Sequence, residues 1–333
     1  MPRQPRLDAP GTLHHVMGRG IERIKIFQDD TDRDDFVSRL AALCRDGQWS
    51  VYAWALMPNH FHLLVRTGPV PLFRSMKKLL TGYAVNFNSR HKRYGHLFQN
   101  RYKSIVCEEE PYLLELTRYI HLNPVRAGLV KRVPELRGYP WTGHAALMGG
   151  GDRAWQETAT VLAYFGQRRR RAVQRYEEFV REGIAQGRRP ELVGGGLIRS
   201  QGGWAQVLPL RRRGVKVASD ERILGSGDFV ERLLADAAKQ EKETLRLSRK
   251  VVALAILGQK IIAAGGVRAE EFRAGLRRRD VVKARRLFCQ VAVRGMGHSG
   301  AAVARFLGVT TSAANRLAAS EQLPEVRKFL NAL

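Results

Sequence analysis

Two short β-type runs, SVYAWALM (50–57) and HFHLLVR (60–66), are separated only by Pro58 and Asn59. Strand residues bracketing a two-residue turn read as a β-hairpin. Alternate side chains of a strand point to opposite faces. His60 and His62 are therefore predicted to point the same way, with Phe61 turned into the core. Buried polar rings must find partners, so two histidines in an otherwise apolar strand call for an explanation.

The flanking sequence extends this pair into a longer alternation. TLHHVMG (12–18) reads as a strand. DDTDRDDFVSRLAALCRDG (29–47) reads as a helix, with Asp and Thr at its start, Phe36, Leu40 and Leu43 at helical spacing and Gly47 at its end. A helix is expected from Pro71 to Arg90 on the stripe Leu72, Met76, Leu79, Tyr83 and Phe87. RYKSIVC (101–107) is a fourth strand, and EEEPYLLELTRYIHLNP opens a further helix with Pro111 in its first turn. The order β-α-β-β-α-β-α predicts an α+β fold whose first six elements follow the ferredoxin-like pattern with an antiparallel sheet.

At 333 residues the chain has room for about two domains of ~150 residues each. Its 57 Lys and Arg outweigh 31 Asp and Glu, for a net charge of +26. Such an excess points to a polyanionic partner, nucleic acid before an anionic membrane. Cys44, Cys107 and Cys289 are far apart and form no C-x-x-C pair, which fits a reducing cytoplasm and argues against a disulfide framework or a thiolate metal site. MPRQPRLDAPG has no apolar signal core. The apolar run VVALAIL (251–257) is too short to span a bilayer. A cytoplasmic, nucleoid-associated protein with no membrane contact is expected.

Three segments are expected: an α+β domain over 1–148, a Gly/Arg-rich and partly irregular connecting region over 149–235, and a helical DNA-binding domain over 236–333. The middle segment contains RRRR (168–171), GGG (194–196), QGG (201–203) and RRR (211–213). In the last, SGAAVARFLGVTTSAANRLAAS (299–320) has the texture of a helix-turn-helix. Ala304 is small where the helices cross, Gly308 supplies the turn, and Val303, Leu307, Val309 and Leu317 supply the core. Thr310 or Thr311 caps the second helix. Thr311, Ser312, Asn315 and Arg316 would then face a major groove. The same pattern also suits an ordinary helical hairpin.

His60 and His62 together can bind one metal ion, although imidazole spacing does not choose among Zn, Mn, Fe, Ni and Cu. By themselves, two histidines at a strand start more often mean partly exposed side chains than a metal site. A third ligand and a nucleophile would decide the matter. On the helix of YLLELTRYIHLNPVRAGLV, Leu113, Leu116, Thr117 and Ile120 make the apolar side, and Tyr119 lies about 100° from Ile120. Asn123 is one turn beyond Tyr119 and Glu115 one turn before it. Asn-Pro favours a helix end at that point. Tyr112 has Leu116 at its i+4 position and lacks a polar partner, Tyr83 belongs to an apolar stripe, and Tyr102 packs on a strand.

MPNHFHLLV (57–65), GHLFQNRYKS (95–104) and RYIHLNPVRAGLV (118–130), with GRGIERIKIF (18–27), closely resemble the single-tyrosine HUH transposases, and most nearly the REP-associated tyrosine transposases. The resemblance covers roughly residues 7 to 148. It implies His60 and His62 as the metal pair, Tyr119 as nucleophile, Asn123 as third metal ligand, and Mg²⁺ or Mn²⁺ as cofactor. It implies a single-stranded DNA substrate beside an imperfect hairpin, nicked and rejoined through a 5′-phosphotyrosine. Arg19, Arg101, Lys103, Arg118 and Arg126 are candidate phosphate contacts. Short members of the family lack the C-terminal extension, which somewhat resembles the DNA-binding end of bacterial replication initiators and suits duplex DNA. The protein would act as monomer or homodimer. The competing reading is a non-catalytic DNA-binding regulator that uses the helix-turn-helix. An RNA-binding protein is disfavoured for want of an RNP-like aromatic strand pair.

Overall fold

The structure, a computed structural model, describes residues 7–8, 10–150, 153–187, 189–196, 200, 217–249, 253–273 and 278–331. The stretches 201–203 and 211–213, Arg277, and the first two residues of the apolar run 251–257 lie outside them. The chain divides into two compact units, Met1–Ala235 and Asp236–Leu333.

The first unit is built on β1 (Leu13–Arg19), α1 (Asp30–Arg45), β2 (Trp49–Met57), β3 (His60–Thr67), α2 (Leu72–Arg90), β4 (Lys103–Cys107) and α3 (Glu109–His121). The sheet order is β2-β3-β1-β4, antiparallel throughout. This is the ferredoxin-like order expected from the sequence. A fifth strand, β5 (Ile223–Leu224), adds parallel to β4.

Local signals account for the boundaries. The Asp29 carboxylate accepts the Asp32 backbone N–H at 3.0 Å and caps α1, and Gly47 leaves it at φ 66°. α2 follows Pro71 and buries Leu72, Met76, Leu79, Tyr83 and Phe87, the five residues of its apolar stripe.

The sheet buries both faces. On one, Val16, Trp54, Leu56, Phe61, Leu63 and Val65 pack against Phe36, Leu40 and Leu43 of α1 and the stripe of α2. On the other, Leu13, Ala53, Ala55, Leu64, Ile105 and Cys107 meet Leu113, Leu116 and Ile120 of α3. A register shift between Val51 and Ala53 lets Tyr52 and Ala53 both join the α3 face.

Residues after 149 also belong to this second core. The chain passes through α4 (Asn123–Arg126), α5 (His144–Leu147), α6 (Ala159–Ala163) and α7 (Arg169–Glu182). Ala172, Tyr176 and Val180 of α7 are buried with α3. The Tyr176 hydroxyl sits 2.7 Å from His121 Nδ1 and 2.9 Å from His144 Nδ1. It donates to one imidazole and accepts from the other, joining α3, α5 and α7 in the interior.

The second unit is helical. Leu257, Ile261, Phe272, Val281, Phe288, Val303, Leu307 and Ala314 form its core. The helix Gly300–Leu307 ends at Gly308 with φ 67°, and Thr310 caps Thr311–Ala319 by accepting the Ala313 N–H at 3.2 Å. Ala304 is buried at this crossing, while Val309 and Leu317 pack at its edge. Among the described residues no helix is long and apolar enough to cross a membrane.

Gly18 lies opposite Phe61 in the β1–β3 register, and a methyl group on Gly18 would stand 2.4 Å from the Phe61 ring. Gly18→Ala is expected to destabilise the first unit by about 1–3 kcal/mol through overpacking. All five tryptophans precede residue 236, so the midpoint of the urea transition followed by tryptophan fluorescence measures this directly.

Candidate active site on the histidine face of the sheet

Pairing of β1 with β3 sets Arg19 opposite His60, Met17 opposite His62 and His15 opposite Leu64. With a two-residue period, His15, Met17, Arg19, His60 and His62 share the α3 face. The rings of His60 and His62 are 5.2 Å apart. Phe61 is buried on the far face, as expected.

α3 rests on this face through Leu113, Leu116 and Ile120, which leaves Tyr119 half-buried beside the histidines. The Tyr119 ring meets His62 edge-on at 5.9 Å and His15 at 6.1 Å. The Arg126 guanidinium lies over the Tyr119 ring at 5.3 Å. Burial pushes the Tyr119 phenol up from its ordinary value, and Arg126 opposes that shift. Tyr112, by contrast, donates to the Ser200 carbonyl at 3.1 Å, and Tyr83 and Tyr102 are buried in the other core.

The Nδ1 atoms of both histidines are engaged. His60 Nδ1 is 2.7 Å from Asn59 Oδ1, and His62 Nδ1 is 3.0 Å from His15 Nε2. Burial holds His60 at about 4, with Arg19 acting in the same sense. His15 is likewise held at about 4 by burial. His62 lies well below its ordinary range through burial and the neighbouring imidazoles. Neutral imidazoles whose Nδ1 atoms are occupied leave Nε2 as the donor atom for a metal, so the pair fits a divalent ion.

Asn123 begins α4 and donates its amide to the Tyr119 and Ile120 carbonyls at 3.2 and 3.4 Å. Only its Oδ1 would remain for a metal. Glu115 pairs with Arg118 at 2.6 Å and Arg189 at 3.0 Å. Arg118 departs from the expectation of a phosphate contact. It is 5% exposed, stacks on Phe179 at 4.0 Å and donates to Glu115, Gln186 and the Phe179 carbonyl. Its charge is consumed in tying α3 to α7.

Arg19 and Arg101 are exposed. Lys103 is exposed and donates to the Val193 carbonyl at 2.6 Å. Arg126 donates to the Gly183 carbonyl at 3.3 Å. Thr311, Ser312, Asn315 and Arg316 are all exposed on their helix in the second unit. Asp29, Asp32 and His91 also cluster. Arg90 bridges both of those carboxylates and His91 pairs with Asp32, so that group is an ion-pair network between α1 and α2.

Residues 11–123 match the family described as transposase IS200-like. The match spans less than half of the chain. The matched span contains His15, His60, His62, Tyr119 and Asn123. No curated protein matches the chain. A solved structure, that of a REP-associated tyrosine transposase bound to a REP hairpin, is similar at 16% identity and a TM-score of 0.37, over 47% of this chain and 90% of that one.

His15 escaped the sequence reading. It is one of two adjacent histidines in a strand, and only the β1–β3 register reveals that it faces His62.

Burial of neutral imidazoles carries a pH signature. His14, His15, His60 and His144 are each held at about 4, chiefly by burial. The unfolded chain takes up these protons near the ordinary histidine value of about 6.5. Between there and about 4 the unfolded state binds more protons, so stability falls as pH drops through that window and is fully present above it. The urea midpoint is expected to decline steadily from pH 7 to pH 5; a flat profile would contradict neutral buried rings.

Proposed function

We propose that this chain is a metal-dependent transposase that nicks and rejoins single-stranded DNA at hairpin-forming repeats, with Tyr119 as nucleophile. The observation that carries the reading is the placement of the Tyr119 ring against His62, beside a pair of neutral imidazoles whose Nε2 atoms make no hydrogen bond among the described residues. The hairpin substrate follows from the resemblance of the three sequence motifs to REP-associated tyrosine transposases.

His60 and His62, with Asn123 Oδ1, would hold Mg²⁺ or Mn²⁺, which when bound would neutralise charge on the scissile phosphate. Tyr119 Oη forms the new bond to phosphorus as the bond to the 3′-oxygen breaks. The phenol proton is lost, the departing oxygen gains one, and a 5′-phosphotyrosine and a free 3′-OH result. Splitting the exchange into two displacements conserves the phosphodiester energy, so attack by a 3′-OH restores the strand without a cofactor nucleotide. Arg126, lying over the ring, favours the phenolate that burial disfavours. Arg19, exposed opposite His60, is placed to meet the strand's phosphates.

A second contact is proposed for the other unit. Helix Thr311–Ala319 presents Thr311, Ser312, Asn315 and Arg316 to solvent after a tight turn at Gly308, an arrangement that suits a duplex major groove. A chain that binds DNA only through this helix, without cleavage, is the competing regulator.

His60→Ala and His62→Ala are expected to reduce cleavage of a labelled single-stranded hairpin to background. Hairpin affinity should stay within a factor of about three, or about 0.7 kcal/mol. Retained metal-dependent cleavage in both variants would refute the site. Log affinity should also fall with log salt at about 0.7 per neutralised phosphate, and salt-independent binding would exclude a nucleic-acid partner.

A further inference from the structure

His15 reaches beyond the histidine pair. Its Nδ1 lies 2.9 Å from the Leu192 carbonyl and its Nε2 lies 3.0 Å from His62 Nδ1. The two imidazoles stack at 5.2 Å. A carbonyl oxygen only accepts, so His15 Nδ1 carries the hydrogen. The wholly buried His15 ring has neutral partners at both nitrogens, so with its hydrogen on Nδ1 its Nε2 holds a lone pair. That lone pair accepts from His62 Nδ1–H. With its hydrogen on Nδ1, the buried His62 ring keeps its own Nε2 bare. One backbone carbonyl thus determines the tautomers of two rings in series.

His60 reaches the same tautomer by a separate route. Asn59 donates its amide Nδ2 to the Arg23 carbonyl at 3.3 Å, which turns Oδ1 toward His60 Nδ1 at 2.7 Å. The acceptor Oδ1 requires a hydrogen on Nδ1 and leaves Nε2 bare. Two unrelated hydrogen bonds therefore present the same atom from both rings.

We infer that His15 is a positioning residue, set by the Leu192 carbonyl, that holds His62 as the Nδ1–H tautomer with its Nε2 lone pair presented for a divalent metal. The inference rests on the proposed metal site and adds a requirement to it. It also gives the segment after residue 149 a role at the site. Leu192 sits in the 3₁₀ turn Pro190–Val193. Arg189, just before that turn, pairs with Glu115 of α3 at 3.0 Å, and Val193 accepts from Lys103 of β4 at 2.6 Å. The carbonyl that sets the tautomers is thereby tied to the tyrosine helix and to the sheet. Second partners of this kind orient a ligating imidazole, and losing one typically weakens metal binding about 10- to 100-fold.

The test uses the full-length protein and Mn²⁺ alone, titrated by calorimetry, with no DNA present. His15→Ala is expected to weaken Mn²⁺ binding about tenfold or more. His15→Gln is expected to restore most of it, because Oε1 can accept from His62 while Nε2 donates to Leu192. His60→Ala separates the two claims. If it abolishes Mn²⁺ binding while His15→Ala leaves the affinity unchanged, the metal site stands and the His15 inference fails. If His60→Ala leaves Mn²⁺ binding unchanged, or the wild type binds none, the metal site fails and the inference falls with it. Loss in His15→Gln equal to that in His15→Ala would show that packing, not hydrogen bonding, is what His15 provides. Long-range nitrogen–proton NMR of the wild-type imidazoles gives a readout independent of any variant's folding. A hydrogen on His62 Nδ1 is expected, and a hydrogen on Nε2 overturns the inference.

Discussion

The site depends above all on the antiparallel register between β1 and β3. Leu13 to Arg19 runs against Arg66 to His60 without a break. Since a strand alternates faces residue by residue, a slip of one would exchange every inward and outward side chain on β3. Phe61, Leu63 and Val65 would leave the α1–α2 core, and His60 and His62 would be driven into it. The apolar set on one face therefore pins the histidines to the other. Gly18, across from Phe61, leaves no room for a side chain and helps hold that register. The half-buried His60 and the buried His62 remain tolerable because each finds a partner, at Asn59 and at His15 respectively.

The tyrosine is delivered by a different constraint. α3 buries three apolar residues on the sheet, and Tyr119 falls at the edge of that contact, close enough to touch His62 and open enough to meet a substrate. Behind α3, the Tyr176 hydroxyl joins His121 and His144, and Arg118 spans to Phe179. These contacts fix the helix from its rear, so the position of Tyr119 is a property of the packed unit. They also mean that the unit does not end near residue 148. A fragment ending there would lack α7 and the Leu192 carbonyl.

Much of this was legible in the sequence because its signals are local. Hairpin spacing, helical stripes and a strand's alternation placed all four antiparallel strands and the three principal helices, with His60 and His62 on one strand face and Tyr119 beside a helix's apolar stripe; only the family resemblance brought the three together. What escaped depends on long-range pairing. His15 looked like any strand histidine until the register set it beside His62. Arg118 looked like a flanking cation, and its burial depends on α7. That helix was itself obscured by the arginines at 168–171, which dominate the composition. Its apolar residues Ala172, Tyr176 and Val180, at i, i+4 and i+8, nevertheless carry a helical stripe. Asn123 shares the Tyr119 side of the helix by spacing, yet the break before Pro124 lets its amide fold back on the helix end.

The central claim is that Tyr119 becomes covalently joined to DNA. The most direct measurement mixes the purified full-length protein with labelled single-stranded hairpins, taken from palindromes flanking its own gene, and Mn²⁺, and resolves the products on a denaturing gel. The account predicts a labelled band at protein mass that disappears in Tyr119→Phe. Cleavage of the same hairpins with no such band, or a band that persists in Tyr119→Phe, would contradict it.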